Sequence, residues 1–117
     1  MSEDMRIVVG GSAEEDGAAF VHAWESAERG EQVEPSRVLA FETWEAMVSV
    51  LTGERFRLLR HLHAHPEPSV SALARSMGRH LRRVQVDVRA LEDVGLVSRA
   101  RGRVEAAVDQ LRAEANL

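Results

Sequence analysis

Between positions 79 and 89 the chain reads RHLRRVQVDVR, placing four arginines and a glutamine within eleven residues. If this segment is a helix, Leu81, Val84, Val88 and Leu91 recur at intervals of 3, 4 and 3 and form its buried stripe. Arg79, His80, Arg82, Arg83, Gln85, Val86 and Arg89 are then left outward or flanking. Guanidinium groups donate in pairs to guanine edges, a carboxamide suits adenine, and any arginine neutralises a phosphate. The spacing therefore points to the major groove of duplex DNA, with Arg82, Arg83 and Gln85 expected at base edges. Arg99, Arg101 and Arg103 follow in SRARGR and are expected on phosphates. Ser69 and Ser71 complete the candidate DNA-binding set. A charge run is more often a solvated face than a binding surface, so the elements that carry these residues must decide.

Those elements read in a definite order. Thr52-Gly53 opens a helix in which Phe56, Leu59 and Leu62 face inward with Leu58 beside them, and Pro66 and Pro68 end it. Ser69 to Met77 is a short helical pattern with Val70, Leu73, Ala74 and Met77 inward, broken by Gly78. The arginine-bearing helix runs from about His80 to Val94, and Gly95 stands where a helix commonly ends. Leu96 to Ala100 and a return strand near Arg103 make a hairpin over Arg101-Gly102. Two helices across a glycine turn, followed by a basic hairpin, meet the needs of a helix-turn-helix with a wing, expected to act as a sequence-specific DNA-binding regulator, the alternative being a protein-interaction module without DNA binding.

The remainder is acidic. Residues 1–54 hold 3 arginines and 12 acids, residues 55–103 hold 11 arginines and 4 acids, and the tail from Val104 adds 1 arginine and 3 acids. The net charge of −4 thus conceals a basic surface for a polyanion and an acidic one for another partner. Met5 to Val9 reads as a strand ended by Gly10-Gly11. Ser12 starts a helix with Phe20, Trp24 and Ala27 as its stripe, Gly30 stops it, and Glu31 to Ser36 is a polar loop. Trp44, Met47, Val48 and Leu51 form one further helical stripe. The tail fits two patterns. Val104, Ala107, Val108, Leu111 and Ala115 suit a helix, the preferred reading, while Leu111, Ala113, Ala115 and Leu117 suit a strand pairing with Met5 to Val9.

The stretch SVSALARSMGRHLRRVQVDVRALEDVGLVSRARGR resembles the core of MarR-like winged-helix regulators, including V-x-x-D-V-x-x-L-E-x-x-G-L-V from Val84 to Val97. The likeness extends upstream through FETWEAMVSVLTGERFRLLRHL and downstream to DQLRAEANL. In that wider layout the chain is similar to small MarR-like proteins taken as antitoxins, the Tum-type group. It departs from that group in opening the arginine helix with His80 and Leu81. The resemblance implies a homodimer that represses its own operon through Arg79 to Arg89, and a toxin as protein partner of the acidic region.

Other features carry less. HLHAH at positions 61–65 offers His61 and His65 to a metal, but no complete site with a carboxylate or cysteine is expected there. Gly10-Gly11-Ser12 lacks the glycine and lysine spacing of a phosphate loop. Phe20, Trp24, Phe41, Trp44 and Phe56 read as core, although either tryptophan suits a protein interface. There is no cysteine or tyrosine and no catalytic motif, so no enzyme, cofactor or metal is expected. No signal peptide or membrane span is evident, and a cytoplasmic location is expected. The expected fold is mainly α with a small β wing. Residues 1–51 form a strand–helix–helix extension for dimer or partner contact, 52–104 the winged helix-turn-helix, and 105–117 a tail element.

Overall fold

The computed structural model describes residues 3–10 and 37–117. The expected helix from Ser12 with its Phe20, Trp24 and Ala27 stripe, the Gly30 stop and the loop to Ser36 lie outside them. In chain order the described elements are β1 (Asp4–Val9), β2 (Arg37–Phe41), α1 (Trp44–Val50), α2 (Gly53–Ala64), α3 (Val70–Met77), α4 (Leu81–Asp93), β3 (Val97–Ala100), β4 (Arg103–Ala106) and β5 (Gln110–Ala115).

Strict alternation makes β1 a strand: Met5, Ile7 and Val9 are buried while Asp4, Arg6 and Val8 are half-covered. It is the centre of a three-stranded sheet ordered β2-β1-β5. Both pairings are parallel, with Met5 opposite Arg37 and Leu111, and Val9 opposite Phe41 and Ala115. Expectation and structure part here. The described residues are 45% helix and 29% strand, so the protein is mixed α/β; the mainly α winged-helix assignment with a strand–helix–helix extension is overturned. Two strands account for the difference. RVLAF, unassigned in the sequence reading, is β2, and the tail preferred as a helix is β5. Ala113, Glu114 and Ala115 favour a helix in isolation, but β1 offers a row of backbone groups that a helix could not satisfy. Tertiary pairing wins.

The helices follow their sequence signals closely. Thr52 caps α2 by accepting from Arg55 N at 3.2 Å, and Ser69 caps α3 by accepting from Ala72 N at 3.0 Å. Gly78, at φ 64°, ends α3 in the left-handed region that glycine enters freely. Leu58, Leu62, Leu73, Val84, Val88, Leu91, Leu96 and Val104 are fully buried and join with Met5, Ile7, Val9 and Met47 in one core. Four expected inward residues are exposed, Leu81 by 38%, Phe56 by 45%, Trp44 by 53% and Val48 by 41%, while Leu51, Val70 and Met77 are half-buried. At about 100° per residue, the stripe of Leu58, Leu59 and Leu62 carries Phe56 off its side. Leu81 is the first residue of α4, a turn ahead of the covered stripe. The helix α1 has seven residues and buries only Met47.

The strands β3 and β4 pair antiparallel, Val97 opposite Ala106 and Ala100 opposite Arg103. Arg101 at φ 56° and Gly102 at φ 83° make the tight turn between them. Positive φ at both central residues matches the twist of a two-residue hairpin. Glu67 and Val104 exchange backbone hydrogen bonds of 2.9 and 2.8 Å, which tie the hairpin to the loop before α3.

Candidate nucleic-acid interface

The arginine face is built from α4 and held by its first turn. Gly78 N donates to Arg75 O at 3.1 Å and Arg79 N to Ala74 O at 2.9 Å, fixing the bend between α3 and α4. His80 then caps α4, its Nδ1 accepting from Arg82 N at 3.3 Å. With Val84, Val88 and Leu91 buried, Arg82, Arg83, Gln85, Val86 and Arg89 are all exposed, Val86 by 61%. Among the described residues Arg82, Arg83 and Arg89 have no acidic partner within reach.

Arg79 differs. Its side chain is only 17% exposed, and Nη2 lies 2.8 Å from Glu54 Oε2 and 2.7 Å from Asp87 Oδ2. Asp87 accepts in turn from Arg55 Nε at 2.9 Å. The Nη1 of Arg55 reaches back to Val50 O at 2.9 Å and Ser49 O at 3.3 Å, which are orphan carbonyls at the end of α1. Arg79 was expected on DNA, but this network engages it instead; it positions α4 against α1 and α2. Its Nη1 is buried without a hydrogen-bond partner among the described residues. The sequence reading missed Arg55, Glu54 and Asp87. The signal was present, since Asp87 is the one acid inside RHLRRVQVDVR. Beside the network lies an open depression of about 480 Å³, lined by Thr52, Arg82, Arg83 and Val86 as well as the ion pairs.

The hairpin presents its own cations. Arg101 at the turn is exposed and has no acidic partner among the described residues. Arg99 Nε is 3.3 Å from Glu92 Oε2 and Arg103 Nε 3.7 Å from Glu105 Oε2, both pairs at least a third exposed and therefore weak. Of the two serines, Ser69 is committed to its cap and Ser71 is exposed. Behind the hairpin, His61 Nε2 lies 2.9 Å from Glu67 Oε1. Hydrogen bonding from His61 holds the Glu67 carboxyl below the usual carboxylate range, with smaller help from Ser76. The His61 and His65 rings are 5.8 Å apart, and His63 contacts Asp109 at 2.9 Å. Among the described residues no group of three His, Asp or Glu could hold a metal ion, and no helix is long and apolar enough to cross a membrane.

The family described as HVO_A0114 matches residues 50–113, more than half of the 117-residue chain. The chain belongs to the HVO_A0114 family. The matched span starts just before the α2 cap and ends inside β5, so in this chain it takes in α2, α3, α4 and the hairpin. No curated protein and no solved structure matches this member of the HVO_A0114 family.

Proposed function

We propose that this HVO_A0114 family member binds double-stranded DNA in a sequence-specific way and acts as a transcriptional regulator, working as a dimeric repressor. The observation that carries the reading is a contrast along one short stretch: Arg79, just before α4, is held at 17% exposure by Glu54 and Asp87, whereas Arg82, Arg83, Gln85 and Arg89 stand exposed on α4 itself. A rigid helix presenting two adjacent guanidinium groups and a carboxamide suits base edges in a groove about 12 Å wide. Arg101, on the tip of a hairpin fixed to the α2–α3 loop, suits a flanking phosphate. The resemblance of Ser69 to Arg103 to MarR-like regulators points the same way.

Binding to labelled duplexes, followed by fluorescence anisotropy across a salt series, tests the reading. With phosphate contacts, log K falls linearly with log salt by about 0.9 per contact. Arg101→Ala lowers the slope by about one while leaving sequence preference intact, and Arg83→Ala relaxes preference at one base. A response independent of salt, or binding unchanged in both variants, refutes it.

A further inference from the structure

The sheet ends on β2 at one side and on β5 at the other, and among the described residues no strand pairs with the outer edge of β5. Asn116 N donates to Val9 O at 3.0 Å, so the two-residue alternation of the strand directs the backbone groups of Arg112 and Glu114 toward β1. Those of Leu111, Ala113 and Ala115 point away from the sheet and have no backbone partner among the described residues. An edge of this kind is a template for another strand.

The side chains say which strand. Arg112 and Glu114 are exposed on one face, two residues apart and opposite in charge. The parallel register sets Arg112 beside Arg6, a like charge. Arg6 turns instead to Glu114, at 2.7 Å, and Arg112 is left with Asp4 at 3.9 Å. On the opposite face Ala113 and Ala115 are exposed, and Leu117, two residues past the strand, is wholly exposed. A depression of about 430 Å³ opens on that face between α2 and β5, lined by Phe56, Leu59, Ala64, Val108 and Leu111 among others.

We infer that β5 pairs antiparallel with β5 of a second copy of this chain about a two-fold axis at Ala113. In that register Ala113 and its mate exchange both backbone hydrogen bonds, and Leu111 does the same with the second copy's Ala115. Arg112 falls opposite Glu114 of the second copy in a pair that lacks backbone bonds, where facing side chains approach most closely. Gln110 meets Asn116. Continuing the register sets Leu117 of the second copy opposite Asp109, on the face of the depression and diagonal to Leu111. Charge, backbone and the exposed leucine all close under one symmetry operation, as an isologous contact requires. The product is a continuous six-stranded sheet with both helical units on one side. This extends the regulator reading by giving the dimer its interface, and its test is run without DNA, so the two fail separately.

Sedimentation equilibrium of the full chain reads the outcome. The native chain is a dimer at micromolar concentration. Ala113→Pro, which removes only an outward N–H from an edge position that tolerates proline, is a monomer with an unchanged far-ultraviolet spectrum. Leu117→Ala raises the dissociation constant roughly tenfold. Should Ala113→Pro not fold, the charges decide: Arg112→Glu dissociates the dimer, and Arg112→Glu combined with Glu114→Arg restores it. A monomeric native chain, a dimer that survives Ala113→Pro, or a double exchange that fails to restore association overturns the proposal.

Discussion

The sheet and the arginine-bearing face of α4 and the hairpin treat the same residue type in opposite ways. Each arginine on the strands of the sheet meets an acid: Arg6 meets Glu114 at 2.7 Å, Arg37 meets Glu3 at 3.0 Å and Arg112 meets Asp4 at 3.9 Å. Just before α4, Arg79 is firmly paired, while on α4 and the hairpin Arg82, Arg83, Arg89 and Arg101 have no acid within reach among the described residues. Exposed pairs in the sheet contribute little to stability, because water and salt screen them. Their role is to balance charge locally. The unbalanced arginines concentrate a positive field on one surface, and such a field draws a polyanion. Arg79 and Arg55 belong to a third case, in which Asp87 (13% exposed) is shielded enough for pairing to matter.

The largest effect expected is therefore at Asp87. Asp87→Ala leaves Arg55 and Arg79 without their shared anion and destabilises the fold by about 3 kcal/mol, measured by urea unfolding; a change no larger than that of a surface substitution would erase the distinction between the buried and exposed arginines. Next comes Arg83→Ala, which costs about 1–3 kcal/mol of DNA binding and leaves the urea midpoint unmoved. A parallel loss of fold stability would place Arg83 with Arg79 rather than with the free arginines.

A smaller effect is expected at Glu67, whose carboxyl is held low by His61. A depressed carboxyl stabilises the fold above its unfolded value, near pH 4.3, and that contribution is lost as pH falls through the lowered folded value. Glu67→Gln accordingly melts earlier than the native chain at pH 7, and the gap narrows on acidification toward pH 3. A gap that is constant with pH would show that the carboxylate charge is not what fastens this loop. The least effect is expected for Arg6→Ala. Although the guanidinium pKa is raised by hydrogen bonding to Glu114, the pair is exposed, so thermal melting at physiological salt should not change measurably. A distinct drop would mean that the sheet depends on its charges as the α4 network does.

Much of the helical half was legible in the sequence, because its signals are local. Thr52, Ser69 and Gly78 cap or end helices through bonds to residues within a turn or two, and Arg101-Gly102 makes its hairpin turn from its own φ angles. The buried stripe of Val84, Val88 and Leu91 follows from helical period alone, and it fixed which arginines of α4 face out. Within the candidate site, the exposure of Arg82, Arg83, Gln85 and Arg89 was readable for that reason, and that of Arg101 from the hairpin turn. Arg79 was not: its partners Glu54 and Asp87 lie 25 residues before it and 8 after it, and only folding brings them together. The sheet was harder still. Met5 to Val9 alternates and declares itself, but RVLAF is five residues long, and the tail carries alanine and glutamate that suit a helix equally well.

The sequence by itself determined where the helices start and stop, where the hairpin turns, and that positive charge gathers between positions 55 and 103. These depend on contacts within a few residues, where spacing and side-chain chemistry suffice. Tertiary structure alone decided that the first described strand lies between β2 and β5, that the fold is mixed α/β, and that Arg79 supports α4 instead of facing solvent. The reason is that a strand satisfies its backbone through partners distant in sequence, and a buried charge is set by whatever ion lies beside it in space.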